Sequence, residues 1–201
     1  SALHLVSAWA SENGITLGQL KVDGKSNEIT ALPALLKLLD VKGCVVTMDA
    51  MGCQKDLARQ IIQQGGDYVL CLKGNQGSLH DETRYFFEEA KKMKFHDVPY
   101  HYHETVEKDH GRIEIRRCWT VEEVAIQWLG REDQWPGLAS VAAIEAERRI
   151  GKKVTRETRY FISSLTGSAK KLAEAARKHW GIENSLHWVL DVTMNEDQSR
   201  V

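Results

Sequence analysis

No run in this 201-residue sequence approaches the roughly 18 consecutive apolar residues of a membrane-spanning helix. The opening residues, Ser1-Ala2-Leu3-His4-Leu5, have neither the basic flank nor the separate cleavage site of a secretory leader, so a cytoplasmic protein is expected. An excess of one charge is also missing: 27 Lys and Arg stand against 28 Asp and Glu, a net charge of −1. That balance is a poor match to a broadly basic nucleic-acid surface, and any phosphate contact has to come from local clustering of cations. Cys44, Cys53, Cys71 and Cys118 form no CxxC pair, which argues against a zinc site and for buried free thiols in a reducing compartment. Internal repeats and low-complexity segments are absent. What is there, 42% hydrophobic and 27% charged, is the composition of one large soluble domain or two small ones.

The periodicities alternate between strand and helix. Residues 2–10 and 15–22 read as two strands joined by the turn signal Glu12-Asn13-Gly14. Ser26-Asn27-Glu28 caps a helix with Ile29, Leu32, Leu35, Leu36 and Leu39 on one face, closed by Gly43. Residues 44–49 form a short apolar strand of the kind buried inside a sheet. A helix over 54–64, ending at Gly65-Gly66, and a strand over 67–73 complete a parallel βαβ unit. After the polar turn at residues 74–78 a further helix runs from about Leu79 to Lys94. Residues 100–121 and 138–164 then read as two hairpins, expected to make a small antiparallel sheet of their own. Within them Trp119, Trp128 and Trp135 are expected to supply a small core. Ser168 is a candidate N-cap for a last helix, whose apolar stripe is Leu172, Ala175, Ala176, Ile182, Leu186, Val189 and Leu190.

Two acids stand out in this frame. Asp49 ends the apolar strand Val45–Met48, and Glu183 lies beside the stripe of the last helix with His179 and His187 one turn to either side. A fold that joins them makes a site for a divalent metal. A strand pair followed by parallel strands, one acid at a strand end and another on a late helix, is an RNase H-like arrangement. The expected class is therefore α/β, an RNase H-like mixed sheet flanked by helices, with an antiparallel β-rich insertion before the last helix. The expected division is residues 1–98 for the first part of the core, 99–166 for the insertion and 167–201 for the final helix. Each acid also has a plainer reading: Asp49 can cap a turn, and Glu183 can be a salt-bridged helix residue. His179, Glu183 and His187 at steps of four could suggest a zinc face, but the spacing is not HExxH and no fourth ligand is evident. Asp191, beyond that helix, is a candidate for a metal's outer shell or for a solvated role.

The ordered set ALHLVSAWA (2–10), DGKSNEITALPALLKLL (23–39), VTMDAMGCQ (46–54), DYVLCLKGNQG (67–77), HGRIE (110–114), ETRYFISSL (157–165) and HWGIENSLHWVLDVTMNED (179–197) resembles the DDE transposases of bacterial insertion sequences. Within them it closely resembles the H-repeat-associated (Rhs-element) proteins. The resemblance implies an RNase H-like fold with three acids that bind Mg²⁺ or Mn²⁺ for DNA strand cleavage and transfer. Asp49 corresponds to the second acid and Glu183 to the third. The first lies, in the family, on a strand ahead of ALHLVSAWA; Asp23-Gly24-Lys25 has similar letters but follows the strand pair. A catalytic region without strand transfer of its own is therefore expected, and Mg²⁺-dependent strand transfer by this chain would overturn that. Double-stranded DNA is the implied partner, both transposon ends and target, with a homodimer as an option and a nucleoid-associated location in bacteria.

A tyrosine-arginine-glutamate-lysine signature surrounds the third acid in many related transposases. Here His179 and Leu190 occupy its flanking positions, so phosphate contacts must come from other residues, with Arg177 and Lys178 the nearest candidates. The segment Glu147–Arg159 carries six basic and two acidic residues on an expected hairpin. Its Arg148, Arg149, Lys152, Lys153 and Arg156 are candidates for a DNA backbone contact, and equally for cross-strand ion pairs. Two competing functions remain open: a DNA- or partner-binding remnant with no catalysis, and a stand-alone RNase H-like nuclease. Salt-dependent DNA affinity without cleavage marks the first, and hydrolysis of plain duplex the second.

Overall fold

The computed structural model describes residues 4–22, 28–109, 111–122 and 135–182. Two strands, β1 (His4–Ala10) and β2 (Ile15–Val22), pair antiparallel as a sheet of their own. Helix α1 (Glu28–Lys37) lies on this hairpin, its Leu35 buried between Val6 and Val22. Strand β3 (Val45–Met48), helix α2 (Lys55–Gln63) and strand β4 (Asp67–Leu72) form the expected parallel unit. A 3-10 turn at Gly74–Gln76 leads into α3 (Gly77–Lys92). Strands β5 (His101–Asp109), β6 (Arg112–Glu122), β7 (Ser140–Ile150) and β8 (Lys153–Ser163) follow, and then α4 (Ala169–Ile182).

The hairpins of residues 101–163 do not make a separate sheet. β8 pairs antiparallel with β4, and the six strands run in the order β3-β4-β8-β7-β6-β5. The cause is in β8, whose Tyr160 and Ile162 belong to the same core as Tyr68, Leu70 and Leu72 of β4. Trp119 and Trp135 join that principal core as well, and Trp128 lies outside the described residues. Asp67, Tyr68 and the C-terminal end of β8 are tied by side chains too. Ser163 Oγ donates to Tyr68 O at 2.8 Å and Ser164 Oγ to Asp67 Oδ1 at 2.8 Å. β3 is the last strand of this sheet and only half-buried, in contrast to the interior strand its apolar letters suggest. Among the described residues its one hydrogen-bonded neighbour is β4.

Helices cover both faces. α2 and α3 bury Leu57, Ala58, Ile61, Leu79, Phe87 and Ala90 against one face. α4 buries Ala169, Leu172 and Ala176 against Val69, Cys71, Cys118, Ala142 and Phe161 on the other. Ser168 caps α4: the N–H of Lys171 donates to its Oγ at 3.2 Å. At the close of α2 a Cβ on Gly66 would stand 2.7 Å from the Val41 carbonyl oxygen, so only glycine lets the chain turn into β4 there. Cys53, Cys71 and Cys118 are buried free thiols, and Cys44 is exposed.

One consequence of the topology positions the site. Leu72, at the end of β4, pairs with Tyr160, while β8 begins seven residues away at Lys153. At about 3.3 Å per residue the antiparallel ribbon extends about 23 Å past the end of the parallel pair.

Candidate active site

Asp49 follows β3 directly and is exposed at the carboxyl end of the parallel pair. Its Oδ1 accepts hydrogen bonds from the backbone N–H groups of Met51 at 3.1 Å and Gly52 at 3.3 Å. This is the turn-capping role an aspartate plays at a strand end, and it fixes the carboxylate plane while engaging one oxygen. The loop is tight: a Cβ on Gly52 would lie 2.7 Å from the Met48 Cβ. The polar turn after β4 clamps it from the side. Asn75 Nδ2 donates to Ala50 O at 2.5 Å, and Gln76 Nε2 to Cys53 O at 2.7 Å.

The last helix reaches the same place. Thr47, two residues before Asp49, has its Oγ1 3.2 Å from Nδ1 of His179 on α4. His179 precedes Glu183 by four residues. Glu183 itself lies outside the described residues, which on this helix end at Ile182, and so do His187 and Asp191. Arg177 and Lys178 of α4 are both paired: Arg177 Nη2 with Glu107 Oε2 at 2.9 Å and Lys178 Nζ with Glu12 Oε1 at 3.1 Å. A backbone contact from Ser11 Oγ to Lys178 O at 3.4 Å brings the β1–β2 turn to α4 as well.

The ribbon candidates fare differently from one another. Arg148 pairs with Glu114 at 3.0 Å, and Arg149 and Arg156 both pair with Glu147. Glu147 is buried at 1% exposure. It also receives Arg117 Nη1 at 3.1 Å, and Arg117 reaches on to Glu145 and Glu104. Hydrogen bonding from Arg117, joined by Arg149 and Arg156, outweighs burial and holds the Glu147 carboxyl down at about 2. On the opposite face burial pushes Glu114 up, but Arg116, Arg112 and Arg148 outweigh it, and its pKa is lowered. Lys152 and Lys153, at the β7–β8 turn, have no acidic partner among the described residues.

Sequence reasoning missed two cations beside Asp49. Lys73 follows β4 in an extended conformation (φ −140°, ψ −172°), and Arg159 on β8 lies level with it, since Leu72 pairs with Tyr160. Arg159 Nε donates to Glu157 Oε1 at 2.7 Å, and its guanidinium lies over the Trp180 ring of α4, 4.3 Å from the centroid. Trp180 is thus partly exposed and covers an arginine rather than packing fully onto the sheet. Lys73 stands in the segment DYVLCLKGNQG, but its neighbour Arg159 is 86 residues away in sequence and reaches it only through the β4–β8 pairing.

Among the described residues no group of three or more His, Cys, Asp or Glu is placed to hold a metal ion. Asp49 nonetheless suits a hard cation. Its Oδ2 has no hydrogen-bond partner among the described residues, the side chain is exposed, and magnesium prefers carboxylates while retaining several waters. No described helix is long and apolar enough to cross a membrane.

Open α/β sheets take their ligands beyond the carboxyl ends of parallel strands, and here that end carries Asp49, anchored α4 and two cations. This defines a mixed α/β protein with a strand-end site suited to a charged ligand. Residues 1–201 match the family model described as "Transposase DDE domain", and the chain belongs to the DDE transposase family. It is 46% identical to "Putative transposase YncI" of Escherichia coli O157:H7 over 204 residues, covering 100% of this chain and 51% of the relative. It is 43% identical to "H repeat-associated putative transposase YhhI" of Escherichia coli K12 over 205 residues, covering 100% and 53%. "Putative protein YbfL" of the same strain is 44% identical, with the same coverage of 100% and 53%. The chain spans about half the length of these curated relatives.

Proposed function

We propose that this chain is the catalytic region of a DDE transposase of RNase H-like fold, acting on double-stranded DNA at the ends of an insertion sequence. Asp49 and Glu183 are the acids that hold Mg²⁺ or Mn²⁺, which when bound supplies Lewis-acid activation of an attacking oxygen and stabilises the leaving oxygen. Asp49 enters that role with its plane set by the Met51 and Gly52 amides and with Oδ2 unpartnered among the described residues. On the ribbon, Lys152 and Lys153 contact the DNA backbone. Asp49 is level with Cys71 and so with Phe161, eight residues from Lys153, which sets the tip about 26 Å, or roughly eight base-pair steps, from the acid.

The observation that carries the reading is the Thr47–His179 contact at 3.2 Å. It ties the strand two residues before Asp49 to the helix four residues before Glu183, although 132 positions separate the two partners. Replacing Thr47 with valine removes this bond and keeps the side-chain shape. A bond of this kind contributes about 0.5–1.5 kcal/mol, so Thr47→Val should remain folded. Its Mn²⁺ affinity should fall several-fold by calorimetric titration. An unchanged affinity would contradict a shared site.

A further inference from the structure

We propose that Lys73 and Arg159 form a phosphodiester-binding pair beside Asp49, gripping the backbone of the DNA strand at the reacting position. The inference rests on the transposase reading above and assigns two cations to that site.

The sheet register puts the three residues together. Met48 pairs with Leu70 in the parallel ladder, so Asp49 stands level with Cys71, and Lys73 lies two residues further along β4. With strands about 4.8 Å apart and a rise of about 3.3 Å per residue, the Asp49 and Lys73 Cα atoms are about 8 Å apart. Lys73 keeps the extended conformation, so the alternation of the strand continues through it. Its side chain therefore falls on the face of Val69 and Cys71, which is the face α4 covers. Thr47 meets α4 through His179, so Thr47 and, by the same alternation, Asp49 belong to that face too. Arg159, level with Lys73 on the next strand, meets α4 through Trp180. The buried Cys71 thiol registers this convergence. Burial raises its pKa, the charges of Lys73 and Arg159 pull it down, and the charge of Asp49 pushes it up.

The two cations are available in a way that Arg177 and Lys178 are not. Lys73 is exposed with no acidic partner among the described residues, and Arg159 commits only Nε to Glu157. Its two terminal nitrogens have no hydrogen-bond partner among the described residues, and its Cζ lies 4.3 Å from the centroid of the Trp180 ring. An exposed ammonium beside a planar guanidinium suits the two non-bridging oxygens of a phosphodiester. Neither Arg177 nor Lys178 can serve in the same way, since Glu107 and Glu12 hold them.

The test is equilibrium binding of a fluorescein-labelled 30-base-pair duplex by anisotropy, from about 50 to 200 mM salt, with Mn²⁺ calorimetry on the same proteins. Lys73→Gln and Arg159→Gln should each lower the steepness of log K against log salt by about 0.9, and together by about 1.8. Lys73→Arg and Arg159→Lys should restore most of it. Mn²⁺ affinity and thermal stability should change little in Lys73→Gln, which separates phosphate contact from a structural role. An unchanged salt slope in the double variant would overturn the inference, as would a chain that binds no duplex at low salt. Failure of the underlying reading looks different: Asp49→Asn would then leave Mn²⁺ binding intact, whatever the duplex slopes.

Discussion

Two regions of the six-stranded sheet contrast in how they treat charge. The projecting ribbon of β5–β8 is dense with it, yet its arginines are consumed. Arg117, Arg149 and Arg156 close on Glu147, and Arg112, Arg116 and Arg148 on Glu114. At the carboxyl end of β3 and β4, Asp49 Oδ2, Lys73 and the terminal nitrogens of Arg159 have no partner among the described residues. Cross-strand ion pairs hold a long, thinly packed ribbon in register, at the expense of the cations' availability to DNA. A count of basic residues thus points to the ribbon, and the geometry points to the strand ends.

The largest way to break the contrast is to detach α4, which builds the open end. Leu172 is fully buried against the sheet. Leu172→Ala should destabilise the chain by about 2–5 kcal/mol in urea unfolding, and Mn²⁺ binding should weaken with it. A smaller change reverses the ribbon's character. Glu147→Gln leaves three guanidiniums without their shared carboxylate, so thermal melting should move down by several degrees. The freed arginines should make DNA binding stronger and more steeply salt-dependent; an unchanged slope would mean that the ribbon does not face DNA.

Acid sharpens the same point. The folded-state pKa of Glu147 is held at about 2, against an ordinary 4.5. Its contribution is therefore complete above about pH 4.5 and is lost as pH falls from there toward 2. Melts from pH 7 to 3 should show the wild type losing stability below about pH 4.5, with a smaller loss in Glu147→Gln. The smallest expected effect is at the ribbon tip. Lys152→Gln with Lys153→Gln should leave the melting temperature within about a degree and reduce the salt slope of duplex binding by about 1.8 at most.

Local letters carried much of the architecture. The turn at Glu12-Asn13-Gly14, the Ser168 cap and the β3–α2–β4 unit were all readable, because each depends on neighbours within a few residues. The acid at the end of β3 was readable too, and so was its capping of the turn. Three things were not. Nothing near Tyr160 announces that β8 pairs with β4, so a separate sheet was expected where the strands in fact extend the central one. The Glu147–Arg159 cluster could be DNA contact or ion-pair ladder, and only the register that sets Glu147 between Ile115 and Arg156 shows the ladder. Lys73 and Arg159 are adjacent only in space. Glu183, the acid on which the sequence argument leaned most, lies outside the described residues, and its part in the site remains a proposal carried by His179.

Calorimetric titration of Mn²⁺ into the chain, into Asp49→Asn and into Glu183→Gln tests the central claim most directly. Asparagine keeps the Oδ1 acceptor for the Met51 and Gly52 amides, so it removes charge without undoing the loop. The account predicts a binding isotherm in the parent that both substitutions abolish while the melting temperature of the metal-free proteins is held. Binding that survives Asp49→Asn, or a parent chain that binds no Mn²⁺, would contradict it.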